Sequence, residues 1–298
     1  MKRLALPLIV AALTLLVMYN LYSGGQETKR ELATLESLSN VERFYQERAP
    51  LVLAQPDPAT YQASMKAFLP AYFAKVDEHR KAFGGPELDA YLKELEARDE
   101  DEASYQAKRA AYEDVKAIYT QMREGTYAPV WSGYDKGLRL DLLPGKVTHL
   151  SGEPTMVIPV VLWGAQREIR DSKAGKAMMV SASFSIGFKL YDGRDKLFGE
   201  MSASGDPANR IDHPERYIAD FPAQAVLGKF QIPLFPAEVE RAEIAFDIST
   251  STSYGGPAVN AHFEWNREEL PSDWKLRPGE AWDGAQISER SAEEIGGR

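Results

Sequence analysis

Cysteine is absent from the chain. That absence excludes disulfides, zinc–thiolate and iron–sulfur ligation, a thiol nucleophile and the lipidated cysteine of a bacterial lipoprotein. Glycosylation sequons are missing too, because Asn20, Asn40, Asn209, Asn260 and Asn266 all lack Ser or Thr two positions on. An exported chain with neither disulfides nor glycan sites suits a bacterial envelope better than a eukaryotic secretory route. Basic clusters are also lacking: 35 Lys and Arg stand against 44 Asp and Glu, a net charge of -9. Nucleic acid is therefore excluded as an expected partner, and so is broad docking on anionic lipid.

Catalytic signatures are missing as well. A phosphate-binding loop needs glycine five residues ahead of its Gly-Lys pair, and those positions are Leu140 before Gly145-Lys146 and Arg170 before Gly175-Lys176. No G-x-S-x-G occurs, and Ser202 and Ser204 lack the strand-to-helix context of a nucleophile elbow. His79, His149, His213 and His262 are too scattered for a ligand set. The acidic run Asp99 to Glu102 has no glycine at the sixth position of a calcium loop and reads as a solvated helix face. Catalytic, cofactor-binding and metal-binding residues are accordingly assigned as none. Asp212, His213 and Asp220, within one loop, are the nearest approach to an acid–base set, with no nucleophile signalled beside them.

What the chain does contain begins with an apolar run from Leu4 to Tyr22, preceded by Lys2 and Arg3. As helix it spans roughly 28 Å, close to a bilayer core. The flanking charges hold the N-terminus in the cytoplasm, and Tyr19, Asn20 and Tyr22 suit an interfacial belt. The run is long for a cleaved signal and no A-x-A site follows, so the expectation is a permanent anchor through residues 4–22. Gly24 and Gly25 are expected to break the helix at the membrane surface. The alternative is cleavage after Gly25, which leaves Gln26 as the first residue of a soluble periplasmic module.

Beyond the glycines, Leu32, Leu35, Leu38, Val41 and Phe44/Tyr45 recur at helical spacing, in a helix expected to stop at Ala49-Pro50. Asp57-Pro58 supplies an N-cap and a proline at the first helical position. Tyr61, Met65, Phe68, Tyr72 and Val76 share the face that follows, and Pro70 is expected to kink or split that helix. From Glu87 to Glu124 nothing breaks a helix, and Gly125 closes it. Tyr91, Tyr105, Tyr112 and Tyr119 fall at multiples of seven along this rod, a coiled-coil-like seam. Tyr105, Tyr112 and Tyr119 are expected to pack against the upstream helices, since Ala107, Ala110 and Ala111 between them allow close approach, with an exposed interaction surface on the same three tyrosines as the alternative.

After Gly125 the period changes to two. Leu138, Leu140 and Leu142 alternate, Met156 to Trp163 is a continuous apolar run, and Val180 to Leu190 alternates cleanly up to Asp192-Gly193, a hairpin signal. Lys196 to Met201 reads as the return strand and Ser202 to Arg216 as a long crossing loop. Val226 to Phe235, Glu243 to Ser249 and Ala258 to Trp265 complete the strands. Trp265, Trp274 and Trp282 read either as a tail pinned to the sheet or as a sugar-stacking platform.

The expected fold class is therefore α+β multidomain: an N-terminal transmembrane helix, a helical hairpin or bundle, and a C-terminal antiparallel β-sandwich of Ig-like type. The expected divisions are a signal-anchor over 1–25, a coiled-coil-like helical domain over 26–125, the sandwich over 126–271 and a tail over 272–298. The strand-rich part from about Tyr127 to Pro271 is expected to fold alone. Composition and organisation point to a single-pass, membrane-anchored, extracytoplasmic envelope protein, non-catalytic, that scaffolds or binds a protein partner or itself. The alternatives are an envelope-polymer hydrolase and the cleaved periplasmic module.

Overall fold

The structure is a computed structural model that describes residues 5–83, 102–150, 153–164, 180–195, 197–207, 225–252, 259–267, 270 and 272–276. Helix α1 spans Ala5–Leu53 and α2 spans Pro58–Phe83. Side chains before Gly25 lie outside the description, and with them the anchor expected over residues 4–22. Among the described residues no helix is long and apolar enough to cross a membrane. The α1 backbone stays helical through Gly24 and Gly25 and past Pro50, so neither expected break occurs. Pro50 lacks the amide that would bond the Gln46 carbonyl, yet α1 continues past it to Leu53, held by burial of Ala49 and Leu53 on either side of it.

Val41, Tyr45, Ala49 and Leu53, four residues apart, are buried on one face of α1. They meet Tyr61, Met65, Leu69, Tyr72, Phe73 and Val76 of α2. Burying each of the larger side chains contributes roughly 1.5–3 kcal/mol. Tyr45 sits edge-on to Tyr72 at 5.6 Å between ring centroids, and Phe44 stacks on Phe68 at 6.1 Å. The N-cap behaves as expected: the Thr60 amide and hydroxyl both donate to Asp57 Oδ2, each at 2.7 Å. Pro70 does not split α2, which remains one helix.

Helix α3, Glu102–Glu124, is the described part of the expected rod, and Glu87 to Asp101 lies outside the described residues. It packs on α2 through Ile118, Tyr119 and Met122. Arg123 Nη1 donates to both Asp77 carboxylate oxygens at 2.7 and 2.6 Å. Gly125 ends α3 with φ +70°, the left-handed conformation that glycine adopts without a Cβ penalty.

The strands are β1 Trp131–Asp135, β2 Leu138–Leu142, β3 Lys146–Leu150, β4 Glu153–Trp163, β5 Val180–Asp192, β6 Leu197–Pro207, β7 Ala225–Pro233, β8 Val239–Thr252 and β9 Val259–Arg267. They form one antiparallel sheet in the order β1-β2-β4-β7-β6-β5-β8-β9, with β3 paired to β4 beyond the end of β2. The architecture is thus α+β with an antiparallel sheet. Ser202 to Pro207, expected in a loop, continue β6. Strands β1 and β3 escaped the sequence reading; the β1–β2 turn carries positive φ at Lys136 and Gly137, an uncommon position for a lysine.

The sheet curls until its terminal strands meet. Trp131 of β1 stacks on Trp265 of β9 at 5.6 Å and on Phe246 of β8 at 5.2 Å. Gly133 permits this approach, since a Cβ there would lie 2.5 Å from the Trp131 ring and 2.7 Å from Phe263. Inside the curl, Leu140, Ile158, Phe184, Ile186, Phe230, Phe246 and Phe263 belong to one continuous core. The segment after β9 is pinned over one end of it. Trp274 packs on Trp265 at 6.0 Å, and Phe235 exchanges backbone hydrogen bonds with Trp274 and Leu276. Trp282 lies outside the described residues.

A second core lies on the sheet's other face. Leu143, Val161, Trp163 and Leu227 pack with the buried faces of the helices, so packing crosses the boundary drawn at residue 125. A fragment of residues 126–276 keeps the enclosed core and uncovers this outer one. We expect it to retain strand circular dichroism, to melt well below the full chain and to bind an apolar dye. An unchanged melting temperature would mean that the helices add nothing to the sheet.

Candidate functional site

The most constrained polar cluster joins the helices to the sheet. Strand β2 reads Leu-Arg-Leu-Asp-Leu, and while its leucines enter the enclosed core, Arg139 and Asp141 project from the other face beneath the helices. Both are buried, at 2% and 0% exposure. Asp141 Oδ2 accepts from the hydroxyls of Tyr61 at 2.5 Å and Tyr127 at 2.7 Å and from Trp163 Nε1 at 2.8 Å. Asp141 Oδ1 accepts from the Ser132 hydroxyl. One carboxylate thus gathers donors from α2, the connection after α3, β1 and β4.

Arg139 serves the opposite polarity. Its Nη1 donates to the carbonyls of Leu53 at 2.8 Å and Gln55 at 2.6 Å, where the C-terminus of α1 leaves acceptors without intrahelical partners. The guanidinium lies 3.5 Å from the Tyr61 ring centroid, and its Nε is 4.0 Å from Asp141 Oδ1. Burial pushes the Asp141 carboxyl above its ordinary 3.8, against the pull of its four donors. Burial, then the Asp141 charge, pushes the Tyr61 and Tyr127 hydroxyls well above 10.0. A carboxylate wholly enclosed and fully engaged joins parts of a fold; it does not meet a substrate from solvent.

Two other places carry polar chemistry. A cleft of about 360 Å³ opens between α1 and α2, lined by Val41 and Phe44 together with the charged Arg43, Glu47, Lys75 and Glu78. Ser37 also lines it, and His79 Nδ1 lies 2.9 Å from Ser37 Oγ, the imidazole pushed down by burial. At the β1–β9 seam, His262 Nδ1 lies 2.7 Å from Asp247 Oδ1, and Nε2 lies 3.6 Å from Glu264 Oε1. Its amide donates to Asp135 Oδ2, while Lys136 Nζ donates to the Asn260 carbonyl. The hydrogen bond to Asp247 raises the His262 pKa above 6.5.

Of the three tyrosines of the stripe, Tyr119 is 5% exposed and meets Phe73 edge-on at 5.9 Å, packed as expected and not open as an interaction surface. Tyr105 and Tyr112 lie on the α3 backbone, with side chains outside the described residues. Asp212, His213 and Asp220 lie outside them as well. The Asp141 cluster was missed by sequence reasoning, although the unbroken apolar run of β4 carried the signal: a strand without alternation is covered on both faces, and β2 is its neighbour. Compared with protein-family models and with curated proteins, the chain matches none.

Two outcomes follow. Tyr127→Phe removes one donor to a buried carboxylate and is expected to cost about 1.5–3 kcal/mol in denaturant melts, against about 3–5 kcal/mol for Asp141→Ala, which strands four donors and the Arg139 charge. For His262, a folded pKa above the unfolded 6.5 gives stability that is complete below 6.5 and is lost as pH rises through the folded value. An NMR titration is expected to place His262 above 6.5 in the native chain and to show it falling when Asp247 becomes Asn.

Proposed function

We propose that this is a single-pass, membrane-anchored envelope protein, extracytoplasmic beyond residues 4–22, which binds a protein partner and performs no catalysis. The observation that carries the reading is the contrast between the two ends of α1. Toward its C-terminus Val41, Tyr45, Ala49 and Leu53 are buried against α2 and the sheet-facing core. Toward its N-terminus the same helix holds Leu32 and Leu35 at 61% and 50% exposure, between the apolar run and the packed body. Large apolar side chains on a solvent-facing stretch of helix suit association.

In this reading α1 is both anchor and stalk. Its uninterrupted backbone carries the body at a fixed distance from the bilayer, and Asp141 and Arg139 lock that body to the stalk. The curled sheet, read as an Ig-like sandwich, is the rigid module so presented. The acidic balance of the chain supports a protein partner over nucleic acid.

Membrane fractionation, N-terminal sequencing and crosslinking in intact membranes test the proposal together. The expected result is an alkali-resistant membrane protein that retains residues 1–25 and crosslinks to a neighbour. A soluble chain beginning at Gln26, or a solitary chain at every crosslinker concentration, contradicts it.

A further inference from the structure

The exposed end of α1 has a definite face and a definite charge. Ser37, which meets His79, and Val41 and Tyr45, which are buried, mark the side of α1 turned to α2. At about 100° per residue, Leu32 and Leu35 fall together on roughly the opposite side, and Thr28 and Gly25 continue the same stripe one and two turns nearer the apolar run. All four are exposed. Glycine weakens a helix interior, and a Cβ added at Gly25 would meet nothing within 4 Å, so packing among the described residues does not account for it. A helix lying against the stripe does account for it, because a glycine there lets two backbones approach closely.

The flanks decide which helix. Taking Gly25, Thr28, Leu32 and Leu35 as the seam of a parallel pair, Glu31 and Glu36 occupy the positions on either side of the leucines, and both are exposed. Lys29 lies a full heptad ahead of Glu36, outside the leucine patch. In a pair of identical chains, Glu31 of one copy would face Glu36 of the other, and like charges at those positions oppose pairing. A helix carrying Lys or Arg at the flanking positions meets both glutamates with opposite charge.

We infer that the Leu32–Leu35 face of α1 is the docking site for an amphipathic helix of another protein, with an apolar seam bordered by Lys or Arg. This rests on the partner-binding reading above and names the chemistry of the partner. The seam contributes the attraction, and the two glutamates select against a second copy of this chain.

The test uses the full chain in lipid nanodiscs and two synthetic helical peptides with leucine at the seam positions, one flanked by Lys and the other by Glu, each fluorescein-labelled. Anisotropy titration is expected to show the Lys-flanked peptide binding at least tenfold more tightly. Glu31→Lys with Glu36→Lys should reverse that order, and Leu32→Ala with Leu35→Ala should weaken the Lys-flanked peptide at least tenfold. Equal affinities, or no binding of either peptide, overturn the inference. Because the chain has no cysteine, Leu35→Cys reports self-association cleanly, and a disulfide-linked dimer forming in membranes would also overturn it. Membrane location is read separately by fractionation, so failure of the anchor reading is distinguishable from failure of this one.

Discussion

A buried carboxylate with nowhere to go but its four donors is the constraint around which the rest of this molecule is arranged. Asp141 sits where no water reaches it, so its charge is tolerable only if Tyr61, Tyr127, Trp163 and Ser132 stay in place. Those donors come from α2, the connection after α3, β4 and β1. Arg139, two residues earlier on the same strand, extends the demand to the end of α1 by donating to Leu53 and Gln55. Displacing any one of these elements leaves a buried polar group unsatisfied, at a cost of about 1–3 kcal/mol for each group. Apolar packing alone would let the helices slide on the sheet; the polar joint fixes their register.

That joint divides the molecule differently from its secondary structure. The change from helical to alternating period falls at Gly125, and the first described strand after it begins at Trp131. The outer-face core ignores this boundary: Trp163 and Leu227 from strands share it with Tyr61, Phe73 and Met122 from helices. The core enclosed by the curled sheet takes nothing from the helices α1 to α3; it is built from the strands and the segments around Phe235 and Trp274. The result is a body with two cores separated by one sheet, one of them shared, with residues 25–33 of α1 exposed.

Much of this was legible in advance. The alternation from Val180 to Leu190 is β5 with Phe184, Ile186, Phe188 and Leu190 all inward, and Asp192-Gly193 opens the hairpin to β6. The spacing Tyr61, Met65, Phe68, Tyr72, Val76 is the buried face of α2. The candidate site was not legible in β2 itself, where alternation puts Arg139 and Asp141 on the face away from the leucines without saying that helices cover it; that cover was signalled only by the unbroken apolar run of the neighbouring β4. Proline misled for a physical reason: both Pro50 and Pro70 are held in helices fixed by packing on either side of them, Ala49 and Leu53 in α1 and Leu69 and Tyr72 in α2. Gly24-Gly25 misled similarly, since low helix propensity is a weak preference that a long helix can absorb.

The central claim is that the helices and the helix-facing strands open together because Asp141 and Arg139 couple them. Native-state hydrogen exchange measures this directly. The account predicts that the core amides of α2, from Met65 to Val76, and those of β2 and β4 exchange with one common opening free energy, and that Asp141→Asn lowers all of them in parallel. Helices that open several kcal/mol more easily than β2 and β4, in the native chain and unchanged by the substitution, would contradict it.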